Sequence, residues 1–162
     1  MSGPGVELAV QVLCDSATIP GDEQFHAWVS AALQRRQGEH EITIRIVDES
    51  ESQAMNKKYR CRDRPTNVLS FPADLPPGVD HPLLGDLVIC APLLEREATA
   101  QGKESQAHWA HLVIHGVLHL LGHDHQQPDE ADEMEALETA ILASIGYPDP
   151  YEHSGERQKI AP

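Results

Sequence analysis

Three histidines in the second half of the chain are the residues best suited to chemistry. His115 and His119 lie four residues apart in the run HGVLHLLGHDH, and His125 ends that run. On a helix, residues four apart project from one face, and the apolar residues around these two predict a buried helix. Gly122 predicts its end, because glycine readily takes the left-handed conformation that turns the chain back. Three imidazoles with an open fourth position are the ligand set of a catalytic zinc ion.

Other histidines lie close to this set. His108 and His111 come one to two turns earlier on or near the same helix face, where we expect hydrogen-bond partners of the ligands or surface residues. His123 competes with His125 for the third position. The spacing H-x-x-x-H-x-x-G-x-x-H, which metzincin proteases also use, favours His125. The sequence therefore predicts one Zn²⁺ held by His115, His119 and His125.

The residue after the first histidine separates this chain from those proteases. They carry a glutamate there as the general base, whereas this chain has Gly116, which holds no proton. A peptidase is therefore disfavoured unless a base comes from elsewhere in the chain. Asp124 is the nearest candidate, and a turn residue that bonds its own backbone explains Asp124 equally well.

Length, composition and cysteines predict a single cytoplasmic domain. A chain of 162 residues with 40% apolar content fits one core. We expect neither a transmembrane helix nor a signal peptide, because no apolar run reaches about eighteen residues and no basic start precedes an apolar stretch. The three cysteines form no CxxC pair, which fits a reducing compartment and predicts neither disulfides nor a cysteine metal site.

The charge distribution leaves two interpretations open. A formal net charge of −14 argues against a nucleic-acid partner, because phosphate binding normally needs a positive face. However, five of the twelve basic residues form one cluster, which we call the basic window: Lys57, Lys58, Arg60, Arg62 and Arg64. It is either a solvated face or an anion-binding surface. Acidic residues concentrate late in the chain, at Asp129, Glu130, Asp132, Glu133, Glu135 and Glu138.

Alternation and helical spacing predict an α+β fold. The strands are predicted at 5–14, 41–48, 67–71 and 85–90, and the helices at 22–36, 50–59, 92–101, 105–121 and 128–145. Ser50 or Ser52 is expected to cap the second helix. We therefore predict a single small domain, 1–151, with a mixed sheet of about four strands, a zincin-like metal helix packed under it, and a flexible C-terminal tail, 152–162.

Two further segments carry a resemblance to a known family. The segments Tyr59–Pro72 (YRCRDRPTNVLSFP) and Leu84–Ile89 (LGDLVI) precede the histidine run in that order. Together the three segments closely resemble the YbeY family of bacterial metal-dependent endoribonucleases, also described as rRNA maturation factors. The resemblance extends from the first strand to about Tyr151. The family pattern H-G-x-L-H-L-x-G-x-D-H is matched throughout, and His123 stands where the family often has an aromatic residue.

This resemblance implies a zinc-bound, single-strand-specific endoribonuclease that acts in ribosome biogenesis, 16S rRNA 3′-end maturation and quality control of defective ribosomes. By position it implies that His115, His119 and His125 hold the zinc ion and that Arg60 and His115 are catalytic. The implied partners are single-stranded RNA, especially rRNA, and the ribosome or its proteins. Neither a membrane nor DNA is expected as a partner.

The chemistry of the residues agrees with phosphodiester hydrolysis. Zn²⁺ supplies a Lewis acid, and the guanidinium of Arg60 can hold phosphate oxygens at two points. Neither role requires a glutamate at position 116. Two other functions remain open, a metalloprotease on the same histidine frame and a non-catalytic ribosome-assembly factor with a structural metal.

Individual residues also keep alternatives. Arg60 could instead pair with Asp63 or Glu49 on the surface. Asp86 is expected either to hydrogen-bond a ligand histidine or to cap a turn. Polar residues near the third strand could bind phosphate or backbone, or could serve in turns and caps: Thr66, Asn67 and Ser70.

Overall fold

The elements lie close to their predicted positions. The computed structural model describes residues 5–16, 18–34, 36, 38–74, 76, 82–123 and 127–151. Within them the elements are β1 (Gly5–Val12), α1 (Asp22–Ala32), β2 (Glu39–Val47), α2 (Glu49–Arg60), β3 (Val68–Pro72), β4 (Leu83–Cys90), α3 (Ala91–Ala100), α4 (Ser105–Leu120) and α5 (Pro128–Ser144). The predicted α+β class is confirmed, and the predicted tail, 152–162, lies outside the described residues.

The four strands form one mixed sheet in the order β1-β2-β4-β3. β1, β2 and β4 run parallel, and β3 pairs antiparallel with β4, so that β3 is an edge strand. Alternation along β2 sends Ile42, Ile44 and Ile46 into the main core. On the other face of the sheet, Leu69 and Val88 form a smaller cluster with Val47, against which Met55 of α2 packs.

α4 is the central helix of the main core. Twelve of its sixteen residues are buried, as its apolar sequence predicts. α1, α3 and α5 pack against it, and the aromatic rings of Phe25, Trp28 and Trp109 meet in T-shaped contacts. Gly122 has a φ of +102°, and His123 N–H donates to Leu118 O at 3.0 Å, so the helix ends as predicted. Among the described residues, no helix is long and apolar enough to cross a membrane.

Two helix ends differ from the sequence-based prediction. Asp48 caps α2, because its Oδ1 accepts the Glu51 N–H at 2.9 Å, so the predicted serine cap is wrong. Ser52 is buried and bonds to Thr66. α1 ends at Ala32, four residues early, because the Leu33 N–H is shared between the carbonyls of Val29 and Ser30, a tightening typical of helix ends.

Candidate active site

His115 and His119 lie on successive turns near the C-terminal end of α4. Their ring centroids are 4.7 Å apart and the ring planes meet at 76°. His115 is 3% exposed, whereas His119 is only partly buried. Two imidazoles that share one helix face at this separation can both direct a nitrogen to one ion. The pair therefore lies where the core meets the surface.

Glu138 of α5 fixes the orientation of the His115 ring. Its Oε2 lies 2.7 Å from His115 Nδ1, and the carboxylate is fully buried. An imidazole that donates Nδ1–H to a carboxylate keeps its lone pair on Nε2, the arrangement in which proteins present histidine to a metal. The donor set of this part of the chain thus fits a divalent metal ion held through imidazole nitrogen.

The same carboxylate accepts two further hydrogen bonds. His111 Nε2 lies 2.7 Å from Glu138 Oε1, and the hydroxyl of Tyr151 donates to that oxygen as well. Burial alone would raise the pKa of Glu138, but the hydrogen bonds from His111 and His115 outweigh it and hold this pKa well below its ordinary value. Burial lowers the pKa of His111 in turn. A neutral His111 and an ionised Glu138 follow.

Sequence reasoning missed Glu138, which was grouped with the late acidic residues. A signal was present, since Met134, Glu138 and Leu142 are spaced four apart and are the three buried residues of α5. A glutamate within an apolar stripe indicates a buried partner. Asp86, the residue expected to bond a ligand histidine, is exposed on β4 and has no histidine partner among the described residues. A bond from Asp86 to His125, which lies outside the described residues, stays a prediction.

The two earlier histidines of α4 are also buried, so a surface position is wrong for both. His111 contacts His115 at a ring-centroid distance of 6.3 Å and shares Glu138 with it. His108 Nε2 lies 3.1 Å from Glu97 Oε1, and that carboxylate also accepts Asn67 Nδ2–H at 3.1 Å. The two histidines therefore connect α4 to its neighbouring elements, α5 and α3.

The third predicted ligand, His125, lies outside the described residues, as does Asp124. Within the described ranges, no group of three or more histidine, cysteine or acidic side chains could hold a metal. His123 is described, and it lines a small cavity with Leu118 and Leu121. The His115–His119 pair is thus the described part of the predicted ligand set, and the third ligand stays a prediction.

Gly116 brings α4 against the sheet. A Cβ at this position would lie 2.7 Å from Leu87 Cδ2, and Leu87 is fully buried. Ser70 of β3 donates its hydroxyl to Gly116 O at 3.2 Å. The position that holds the catalytic base in metzincin proteases is therefore a packing contact in this chain, with no room for a glutamate.

Arg60 is the last residue of α2. Glu49 pairs with Arg96, and Asp63 lies 4.0 Å from Lys57, so the alternative ion pairs of Arg60 are wrong. Among the described residues, no carboxylate lies within ion-pair distance of Arg60. Burial and then the neighbouring Arg62 lower the pKa of Arg60. A half-buried cation that has no carboxylate partner among the described residues can bind an external anion.

α2 holds the loop that carries Arg62 and Arg64 of the basic window. Ser52 Oγ–H donates to Thr66 O at 2.7 Å and the same oxygen accepts Thr66 N–H at 2.9 Å. Asn56 Nδ2–H donates to Arg64 O at 2.8 Å. The polar residues near β3 therefore bond to protein, Ser70 to α4 and Asn67 to Glu97.

The chain matches one family model over most of its length. The model describes endoribonuclease YbeY and matches residues 12–146.

A solved structure shares the fold. It is the solution structure of the protein TM1509 from Thermotoga maritima, 22% identical in sequence with a TM-score of 0.54. The match covers 84% of this chain and 91% of the Thermotoga chain. At that identity the likeness shows a common fold.

Proposed function

Since this chain belongs to the YbeY endoribonuclease family, we propose that it cuts single-stranded RNA with one zinc ion and the guanidinium of Arg60. Family membership makes it a metal-dependent endoribonuclease of rRNA processing, hence a hydrolase with RNA as its substrate. Our proposal adds the identity of the ion, the strand preference and the residues. It also adds a cytoplasmic role at the 16S rRNA 3′ end and in ribosome quality control, with ribosomal partners.

The histidines of α4 would hold the ion. We assign His115 and His119 as ligands and keep His125 as the third. Zn²⁺, when bound, supplies a Lewis acid for a phosphate oxygen. Glu138 holds His115 through Nδ1 and so keeps Nε2 in one direction, which limits the reorganisation that metal binding requires.

Arg60 would bind the phosphate. Phosphodiester cleavage increases negative charge on the non-bridging oxygens, and a guanidinium stabilises that charge through paired N–H donors. Arg60 has no competing carboxylate among the described residues, and its partial burial strengthens its field at the substrate. Gly116 itself supplies no base and leaves no room for one at this position, which favours phosphoryl transfer over peptide hydrolysis.

One observation carries the proposal most directly, the buried hydrogen bond between Glu138 and His115 beside the ring of His119. A carboxylate removed from water is unfavourable unless its hydrogen bonds are well satisfied. A buried carboxylate that orients one histidine beside a second histidine is typical of a metal site. That Arg60 has no carboxylate partner among the described residues then favours an anionic substrate.

The test is cleavage of end-labelled single-stranded RNA by wild type, His119→Ala and Arg60→Glu, purified identically, with a chelator control. Arg36→Glu is the matched control for Arg60→Glu, because Arg36 is exposed and lies outside the basic window. We expect chelator-sensitive cleavage by wild type and Arg36→Glu, and its loss in the other two variants. Equal cleavage by all four proteins would indicate contaminating nuclease and favour the non-catalytic assembly factor.

A further inference from the structure

An exposed tyrosine stands beside Arg60 at the end of α2. Tyr59 is 55% exposed, whereas the other six aromatic residues of the chain, all within the described ranges, are buried or partly buried. Tyr59 is therefore the one aromatic side chain of this chain whose ring is largely exposed to solvent. Its neighbours Lys58 and Arg60 are both basic.

The ring of Tyr59 is held in place by the edge strand. It meets Phe71 of β3 in a T-shaped contact with centroids 5.1 Å apart and an interplanar angle of 69°. Phe71 in turn packs on the small cluster of Leu69 and Val88. Because Phe71 already holds the Tyr59 ring, the ring loses little further side-chain entropy when a ligand binds to it.

The ammonium group of Lys58 lies over the ring of Tyr59. Lys58 Nζ lies 5.1 Å from the ring centroid, and Lys58 is exposed. A cation–π contact at an exposed site is weaker than the stacking of a base on an aromatic ring. A nucleobase can therefore displace the lysine, whose ammonium then remains nearby for the adjoining phosphate.

Tyr59 and the histidines lie at the same edge of the sheet. Ser70 and Phe71 are consecutive residues of β3, and their side chains point to opposite faces. Ser70 bonds to α4 at Gly116, next to His115, whereas Phe71 contacts Tyr59. An RNA strand that crosses the edge of β3 would meet both Tyr59 and the histidines of α4.

We propose that Tyr59 is a stacking platform for an unpaired nucleobase and that it contributes to the preference of this enzyme for single-stranded RNA. The inference rests on the proposed function, because it names how the same site recognises its substrate. Aromatic stacking accepts any base but needs its face free, and the bases of a duplex are already stacked on one another. Tyr59 therefore selects for single strands without selecting a sequence.

The test measures binding of fluorescein-labelled RNA by anisotropy, with the probe checked for integrity on a gel. One probe is a single strand of mixed sequence, about 12 nucleotides long, and another has the same phosphates with abasic positions. The variants are Tyr59→Ala, Tyr59→Leu and Tyr59→Phe. Leu13→Ala is the matched control, because Leu13 is 53% exposed and follows β1 at the opposite edge of the sheet.

We expect Tyr59→Ala and Tyr59→Leu to bind the normal probe about tenfold more weakly than wild type, with Tyr59→Phe and Leu13→Ala close to wild type. Tyr59→Leu keeps an apolar contact with Phe71 but lacks a π-face. The abasic probe should bind equally to wild type and Tyr59→Ala. Unchanged binding in Tyr59→Ala, or an equal loss on the abasic probe, would overturn the stacking proposal.

Cleavage of the same RNA separates this inference from the proposed function. Base-dependent binding through Tyr59 without cleavage by wild type would support stacking and reject the nuclease. Wild-type cleavage with an unchanged KM in Tyr59→Ala would support the nuclease and reject stacking. A raised KM with an unchanged kcat is the result that supports both.

Discussion

At the scale of single residues, Glu138 links the helix that carries the histidines to the rest of the molecule. It accepts hydrogen bonds from two histidines of α4 and from Tyr151, which follows α5. Its low pKa means that the carboxylate is charged at neutral pH, and a charged acceptor makes stronger hydrogen bonds than a neutral one. The orientation of His115 therefore depends on an element that contributes no predicted metal ligand.

Replacement of Glu138 with glutamine tests this dependence. Glu138→Gln keeps the volume but removes the charge and one acceptor, so we expect Zn²⁺ to bind about 10- to 100-fold more weakly. Affinity is measured by competition with a fluorescent zinc chelator. Glu133→Gln is the matched control, because Glu133 is exposed on the same helix and should leave affinity unchanged. Equal affinities in the two variants would contradict the role of Glu138.

At the scale of elements, α2 and its following loop form one unit. The Ser52 hydroxyl satisfies both backbone groups of Thr66, and the side chain of Asn56 holds Arg64 O. Cys61 ends the helix with a φ of +58°, in the left-handed conformation that turns the loop back. The basic residues of the loop thus keep a defined position beside α2.

Loss of the Ser52 hydroxyl should destabilise the fold measurably. Ser52→Ala leaves two buried backbone groups of Thr66 without their partner, which costs about 1–3 kcal/mol in the free energy of unfolding. Urea denaturation followed by circular dichroism measures this. Ser50→Ala should change stability by less than about 0.5 kcal/mol, because Ser50 is close by but exposed. Similar losses in both variants would show that the loop is not anchored in this way.

The close approach of α4 to the sheet gives a second prediction at this scale. Gly116→Ala improves helix propensity by about 1 kcal/mol, but its Cβ overpacks Leu87, which typically costs about 1–3 kcal/mol. We therefore expect a net loss of stability in thermal melts.

A double variant isolates the contact with Leu87. In the Leu87→Ala background the obstacle is gone, so Gly116→Ala should become neutral or stabilising. A loss of the same size in both backgrounds would mean that something other than Leu87 excludes a side chain at position 116.

At the scale of the whole molecule, charge is strongly segregated. The chain carries 26 acidic and 12 basic residues, and five of the basic ones belong to the basic window. An acidic protein with a basic cluster attracts a polyanion at the cluster and repels it at acidic surface, which orients the polyanion during encounter. The overall charge, which argues against nucleic-acid binding, is compatible with binding at a single location.

The salt dependence of RNA binding measures how many of these cations contact phosphate. If all five did, log K would fall with log salt with a slope of about −3.5, and each lost contact would reduce the magnitude by about 0.7. We expect Arg62→Ala to show such a reduction and Arg36→Ala to keep the wild-type slope. A slope unaffected by Arg62→Ala would place the phosphate contacts outside the basic window.

The sequence by itself determined the elements and the helix face shared by the two candidate ligands His115 and His119. Helical and strand periods are local properties, so the alternation of β2 and the apolar face of α4 were visible without any tertiary information. The spacing of His115 and His119 fixed their common face for the same reason, and Gly122 fixed the helix end. The mixed sheet and the family were also predicted correctly from these segments.

Only the tertiary structure decided which groups meet across elements. Glu138 reaches His115 because α5 packs on α4, and Glu49 pairs with Arg96 of α3 and not with Arg60. Gly116 is required by the distance between α4 and β4. Each of these contacts joins residues far apart in the chain, and their energies depend on burial and distance. The sequence pattern contains neither burial nor distance, so only the folded structure determines which residues contact those of the site.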